Sequence, residues 1–379
     1  MQRGREWRRW LIGAAVVLVA AVAVAVPAIA DSDWYTLNYR SLSHAPKAAP
    51  SGALPASLQS RWSTHGIVQS GDLSSTSTTV VTVDQHELYG RDPVTGSVRW
   101  HYRRGNTDLC AWTMDQSTVI AVFRNGASCS DITGFDADTG KRRWYLNADL
   151  PSAIQLLDGS GTYYAVDSGE VTGFYADGGS KAWSYTKAGC TFDHAVGGDV
   201  GLVLLADCSG RTDVIAVDGF TGKERFDVPA PSGNPRLLSA DSDVVVASDV
   251  GRHTELSLYG SDGHAAGVVG VPTPPGGTGA PAGQPVVTDG HWIGFDGTEI
   301  LVIDLAHARL LWTVGAVGPP AVHGQSVLVP GNRALADYDS DGRSLSHNDA
   351  PALPKTVSGL ELIGDHVLVR SDNSVAVFG

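Results

Sequence analysis

The stretch GRDPVTGSVRW, Gly90–Trp100, returns nearly intact as GFDADTGKRRW at Gly134–Trp144. Each copy reads as the end of one strand, a tight turn and a second strand closing on tryptophan. Apolar residues alternate before the turn. A glycine able to take positive φ sits inside it, and the Asp and Thr oxygens are placed to bond the turn amides. A near copy at a fixed interval makes repeat architecture the first question to settle.

Aligned on the turn, the copies are LYGRDPVTGSVRW from Leu88, ITGFDADTGKRRW from Ile132, VTGFYADGGSKAW from Val171 and VIAVDGFTGKERF from Val214. Weaker copies begin at Leu256, Ile300, Ala334 and Val375, the last being VAVFG at the C-terminus. Successive starts lie 34 to 44 residues apart, the length of a four-stranded propeller blade. Two more short strands precede each motif, as LCAWTM from Leu109 and TVIAVF from Thr118 do in the second. Asp92, Gly96, Asp136, Gly140, Asp218 and Gly222 are the turn residues of the best copies. Trp62, Trp100, Trp144, Trp183 and Trp312 hold the outer-strand position, with Phe226 in place of one, and offer a flat surface to the neighbouring blade.

Two loose ends remain. The copy at Val375 stops at Gly379 without an outer strand, and LQSRWST, Leu58–Thr64, has the outer-strand pattern with nothing before it. Pairing them closes the ring and removes the sheet edges that promote aggregation. The expectation is an all-β, eight-bladed propeller of four-stranded antiparallel blades over residues 58–379. Seven blades is the alternative, because the copies at Leu256 and Ala334 are degenerate. VPTPPGGTGAPAGQP, Val271–Pro285, reads as a surface loop between the fifth and sixth blades.

The Asp-x-x-Thr-Gly-x-x-x-Trp signature, complete at Asp92–Trp100 and Asp136–Trp144, resembles the pyrroloquinoline quinone (PQQ) repeat family, and the likeness spans nearly all of Leu58–Gly379. That resemblance implies either a quinoprotein dehydrogenase or a cofactor-free envelope protein similar to BamB of outer-membrane assembly. A quinoprotein needs a flat aromatic-floored pocket, a calcium ion held by oxygens and an Asp base. The enzyme branch often carries a disulfide between adjacent cysteines, and the four cysteines here are all separated. None of the family's catalytic residues carries over to a position of this chain. The expectation is therefore no catalytic residue, no metal and no cofactor, with a PQQ-dependent or other small-ligand enzyme or sensor as the alternative.

Residues 1–30 differ from the rest. Arg3, Arg5, Arg8 and Arg9 precede an apolar run from Leu11 to Ala30, which as a helix rises about 30 Å, enough to cross a bilayer. The basic flank stays cytoplasmic, so the propeller is expected outside the membrane on a single-pass anchor. Secretion after cleavage near Ala30 is the alternative. Residues 31–57, rich in Ser, Ala and Pro, read as an extended tether, and Trp34, Tyr35 and Tyr39 suit a membrane interface.

The chain carries 27 basic against 40 acidic residues, and the leader holds four Arg and a single Glu. The exported part is thus more acidic still, which excludes nucleic acid as a natural partner and favours basic proteins or cations.

Cys110 starts the innermost strand of the second blade and Cys129 follows that blade's second strand; Cys190 and Cys208 hold the same places in the fourth. Four cysteines allow three pairings. The two places emerge on one face of a propeller, so the repeat selects Cys110 with Cys129 and Cys190 with Cys208. Asp84, Asp167, Asp207, Asp249, Asp296 and Asp372 open the loop after the second strand in six blades, with Asn125 and Asn332 in the others. They form a candidate acidic face or else cap their turns. His291, His323 and His366 fall at the opposite turns and read as solvated. The function expected is a binding or assembly scaffold for an envelope protein.

Overall fold

The computed structural model describes residues 37–65, 75–251, 253–272, 285–371 and 374–379. Its 32 strands form eight antiparallel sheets of four strands. In the second blade Leu109–Asp115 is innermost, followed outward by Thr118–Asn125, Ser128–Asp136 and Arg142–Asn147. Blades 3 to 7 repeat that order. In blade 8 the strands Gly359–Ile363, His366–Ser371 and Ser374–Phe378 are completed by Ser60–His65, with Ser63 opposite Ala376 and Thr64 opposite Val375. The ring is closed as the two loose ends require, with eight blades.

The core lies between blades, because each sheet is apolar on both faces. Val81, Leu88, Trp100 and Tyr102 of blade 1 pack on Trp112, Met114, Ala121 and Phe123 of blade 2. Trp100, fully buried, shows how successive blades lock. Its ring lies under Gly140 of the next blade's turn, and its Nε1 donates to Ala137 O at 2.8 Å. The same contact recurs from Trp62 to Pro93 O, Trp144 to Ala176 O, Trp183 to Gly219 O and Trp312 to Ser340 O. Gly140 therefore answers two demands: φ is +67°, and an added Cβ would stand 2.5 Å from the indole. In each outer pair the fourth strand also bulges one residue before the aromatic position of the motif, at Arg99, Arg143 and Ala182 in blades 1 to 3.

This lock explains the degenerate repeats. In blade 5 Gly267 stands where tryptophan is expected, and the facing turn of blade 6 carries Ala308 instead of glycine. With no indole to house, a methyl fills the space. In blade 7 the position is Ser346, and the facing blade 8 takes its third strand from Ser374–Phe378 and its fourth from Ser60–His65, so no tight turn joins them to receive a ring. Leu58, Ala350 and Leu353 fill that junction.

Residues 37–57 are extended, as read, but they are bound along their length to the propeller rather than free. Leu37–Arg40 adds an outer strand to blade 1, pairing with Val98–Arg104. Leu42 N then donates to Thr139 O of blade 2, Ala49 N to Ser77 O of blade 1, and Asp365 N of blade 8 to Pro50 O. Asn348 of blade 7 donates to Pro55 O. The segment thus straps four neighbouring blades before entering blade 8. Residues 66–74, the candidate anchor from Leu11 to Ala30, and most of the Val271–Pro285 loop lie outside the described residues. Among the described residues no helix is long and apolar enough to cross a membrane.

Candidate functional site

A propeller presents two faces, and the chain's polar chemistry divides between them. On one lie the loops after each second strand and both disulfides. Cys110 joins Cys129 and Cys190 joins Cys208, as the repeat selects. Cys190 and Cys208 are direct cross-strand partners. Each bond closes a loop of 18 or 19 residues, a constraint of about 3 kcal/mol on chain-entropy grounds.

The carboxylates expected to form an acidic face occupy these loops, and each is held locally. Asp84 accepts from His86 N, Asp167 from Gly169 N and Glu170 N, Asp207 from Gly210 N, and Asp296 from Thr298 N and Glu299 N. Asp249 receives both terminal nitrogens of Arg236, at 2.8 and 3.0 Å. Asp372 lies outside the described residues. Turn capping and ion pairing account for all five described residues.

On this face a cleft of about 730 Å³ opens between blades 1 and 2, lined by His86, Arg104, Arg124, Asn125, Asp131 and Tyr145. Arg104 and Asp131, both buried, pair at 3.0 Å. Burial alone would push the Asp131 carboxyl up, but Arg104, Tyr145 and Asn125 hold it below the usual range. Its oxygens are fully engaged, so the pair is a structural strut between blades.

The opposite face carries the turns between first and second strands, and here the sequence reading missed the main feature. A cavity of about 620 Å³ opens on the ring axis, lined by the turns of blades 2 to 6. Asp115, Asp158, Asp199, Asp241 and Asp289 come one from each of those five blades. The carboxylates of Asp158, Asp199 and Asp289 have no hydrogen-bond or ion-pair partner among the described residues. Asp115, buried at 8% exposure, accepts from Gly161 N at 3.1 Å. Burial and then repulsion from Asp158 push its carboxyl up to about 6. Burial likewise raises Asp241, helped by Asp199 and Asp158. A carboxylate that is itself buried and lies close to others of like charge shifts this way. The sector of this face formed by blades 8 and 1 is covered by Ala49 and Pro50 of the strap, so the mouth is open over its acidic side.

The three histidines lie at these same turns, though not all are solvated. His366 is buried beside Asp365, and His323 is bonded to Asp337 at 2.9 Å. No group of three metal-ligating side chains occurs among the described residues. The turn aspartates of the motif do what was expected: Asp92, Asp136 and Asp218 each accept from amides of their own turn. Each also binds an arginine seven residues on, Arg99, Arg143 or Arg225, a partner the sequence reading had not assigned.

The chain matches the sequence profile of the family described as outer membrane protein assembly factor BamB over residues 48–191 and 167–314. No curated protein sequence matches it. Among solved structures, BamB from Moraxella catarrhalis is 15% identical, with 85% of this chain and 99% of that chain covered at a TM-score of 0.54. The computationally designed Ika8 protein is 14% identical, covering 86% and 99% at 0.61. The dihydro-heme d1 dehydrogenase NirN is 14% identical, covering 86% and 75% at 0.52. At such identities the structural likeness is one of fold. The profile, in contrast, covers well over half of the sequence, and the chain belongs to the BamB family of PQQ-type β-propellers.

Proposed function

We propose that the chain is an extracytoplasmic, membrane-tethered binding scaffold of the cell envelope that takes a basic segment of a protein partner at the aspartate-lined mouth. The observation that carries this reading is membership of an assembly-factor family over residues 48–314. The two disulfides support an oxidising compartment, and the Arg-flanked apolar leader supports export on a retained anchor. The mouth suits the role because three of its carboxylates are unengaged and the blades that carry them are locked to their neighbours. Rigid scaffolds that hold loops in place are common binding platforms.

A photo-crosslinker placed at Gln116 or Ser160, both at the mouth, tests this in intact envelopes. A reproducible protein adduct is expected there, and none from the outer-edge position Leu345. Adducts from Leu345 alone would contradict the assignment of the mouth.

The axial cavity falls within the size range of small-molecule sites, and that favours a second reading, a ligand-binding enzyme or sensor. A NirN dehydrogenase and a europium-containing methanol dehydrogenase share the fold. Titration with PQQ and calcium separates the two. The scaffold reading expects no stoichiometric chromophore, and a bound chromophore with alcohol-dependent dye reduction would overturn it.

A further inference from the structure

The strap changes where the propeller can stand. Taken as a free tether, residues 31–57 would span about 90 Å, but the chain is bound from Leu37 onward. Only the six residues from Asp31 to Thr36 then separate the end of the apolar run from the outer edge of blade 1, a reach of about 20 Å. On a retained anchor, that edge is held at the bilayer.

The chemistry of the edge fits such a neighbour. In a chain of net charge −13, Arg40 on the strap strand, Arg103 on the strand beside it, Lys141 on the adjoining turn of blade 2 and Arg142 at the start of the strand that follows it are all exposed. No carboxylate lies within ion-pair distance of Arg40, Lys141 or Arg142 among the described residues, and Arg103 has only Glu87 at 3.9 Å. The neighbouring Arg99 and Arg143 are by contrast tied to Asp92 and Asp136. Leu37 and Tyr39, each 39% exposed, lie on the same strand. Tyr39 fixes the strand to blade 2, donating to Gly140 O and accepting from Arg142 N. Strand alternation sends Arg40 and Arg103 to one side of the sheet and Leu37 and Tyr39, next to the blade 2 basic pair, to the other. Basic side chains thus flank both sides of an edge that carries an aliphatic and an aromatic residue, which suits edge-on contact with an anionic headgroup layer.

We propose that the outer edge of blades 1 and 2, with Arg40, Arg103, Lys141 and Arg142 around Leu37 and Tyr39, is the surface by which the propeller lies against an anionic lipid bilayer. The proposal rests on the retained anchor. Asp31 and Asp33 in the short connection offset part of the positive charge, so the contact is salt-sensitive.

Lysine acylation of the full-length protein in nanodiscs tests it, because Lys141 and Lys223 hold equivalent turn positions in blades 2 and 4. In phosphatidylglycerol nanodiscs Lys141 is expected to react roughly fivefold more slowly than in detergent, with Lys223 unchanged. The effect should shrink in phosphatidylcholine and with Arg40→Glu. Equal behaviour of the two lysines, or equal protection in both lipids, overturns the lipid contact while leaving the anchor intact. The intact mass of the membrane-extracted protein decides the anchor itself. A chain lacking the leader would remove both.

Discussion

Gly140 and Gly126 have nearly the same backbone, at φ +67° and +62°, but different surroundings. A Cβ at Gly126 meets nothing within 4 Å, while one at Gly140 meets the Trp100 indole. Gly126→Ala should therefore cost about 1 kcal/mol, the backbone term alone. Gly140→Ala should cost about 3 kcal/mol, since overpacking adds to it. Denaturant midpoints of the two variants check the difference. Titration separates two kinds of aspartate. Asp115, raised to about 6 by burial and Asp158, holds its proton more tightly folded than unfolded. Its contribution is full below its ordinary value of 3.8 and declines as pH rises through 6. Asp115→Asn should flatten stability across that window and add about 1 kcal/mol at pH 7, a figure kept small because the cavity is open to water. Asp218 runs the other way. Burial pushes it up, but bonds from Thr221, Arg225 and Phe220 bring it down to about 2, so its contribution is lost as pH falls from 3.8 towards 2. Glycine and tryptophan of the motif were legible in the sequence because few residues satisfy their local demands. The mouth aspartates were not, since each stands at a turn where Asp is ordinary and no motif links the five.

Each outer pair of strands is one half of a joint whose other half belongs to the next blade. Trp100→Phe keeps most of the ring but removes the Nε1 bond to Ala137 O, and should cost about 1–2 kcal/mol. Trp100→Ala should cost about 3–5 kcal/mol. The blade 5 to 6 joint, with Gly267 against Ala308, offers the converse test. Gly267→Trp alone should destabilise, and Ala308→Gly added to it should recover more than about 1 kcal/mol in a double-mutant cycle. Additivity would refute the exchange. The repeat period and the motif order exposed the blades from sequence alone, because alternation and turn chemistry are local. Why two copies looked degenerate was hidden, since the missing tryptophan in one blade is explained only by the turn of its neighbour.

Over the whole molecule, closure was legible because a lone outer strand near one end and a missing one at the other are complementary. The course of residues 37–57 was not legible. An Ala, Pro and Ser-rich stretch has no period to read, and its attachment is made largely through backbone bonds that carry little side-chain signature. The choice between an acidic face and turn caps stayed open in the sequence for a related reason: both sets of turns contain aspartates, and only the fold shows that one set caps its own loops while the other converges on an open axis. Partner capture from crosslinked envelopes by two triple variants tests the central claim most directly. Asp158→Asn, Asp199→Asn and Asp289→Asn together should abolish capture, while Asp84→Asn, Asp167→Asn and Asp207→Asn on the opposite face should preserve it in a folded protein. Capture that survives loss of the mouth carboxylates would contradict the account.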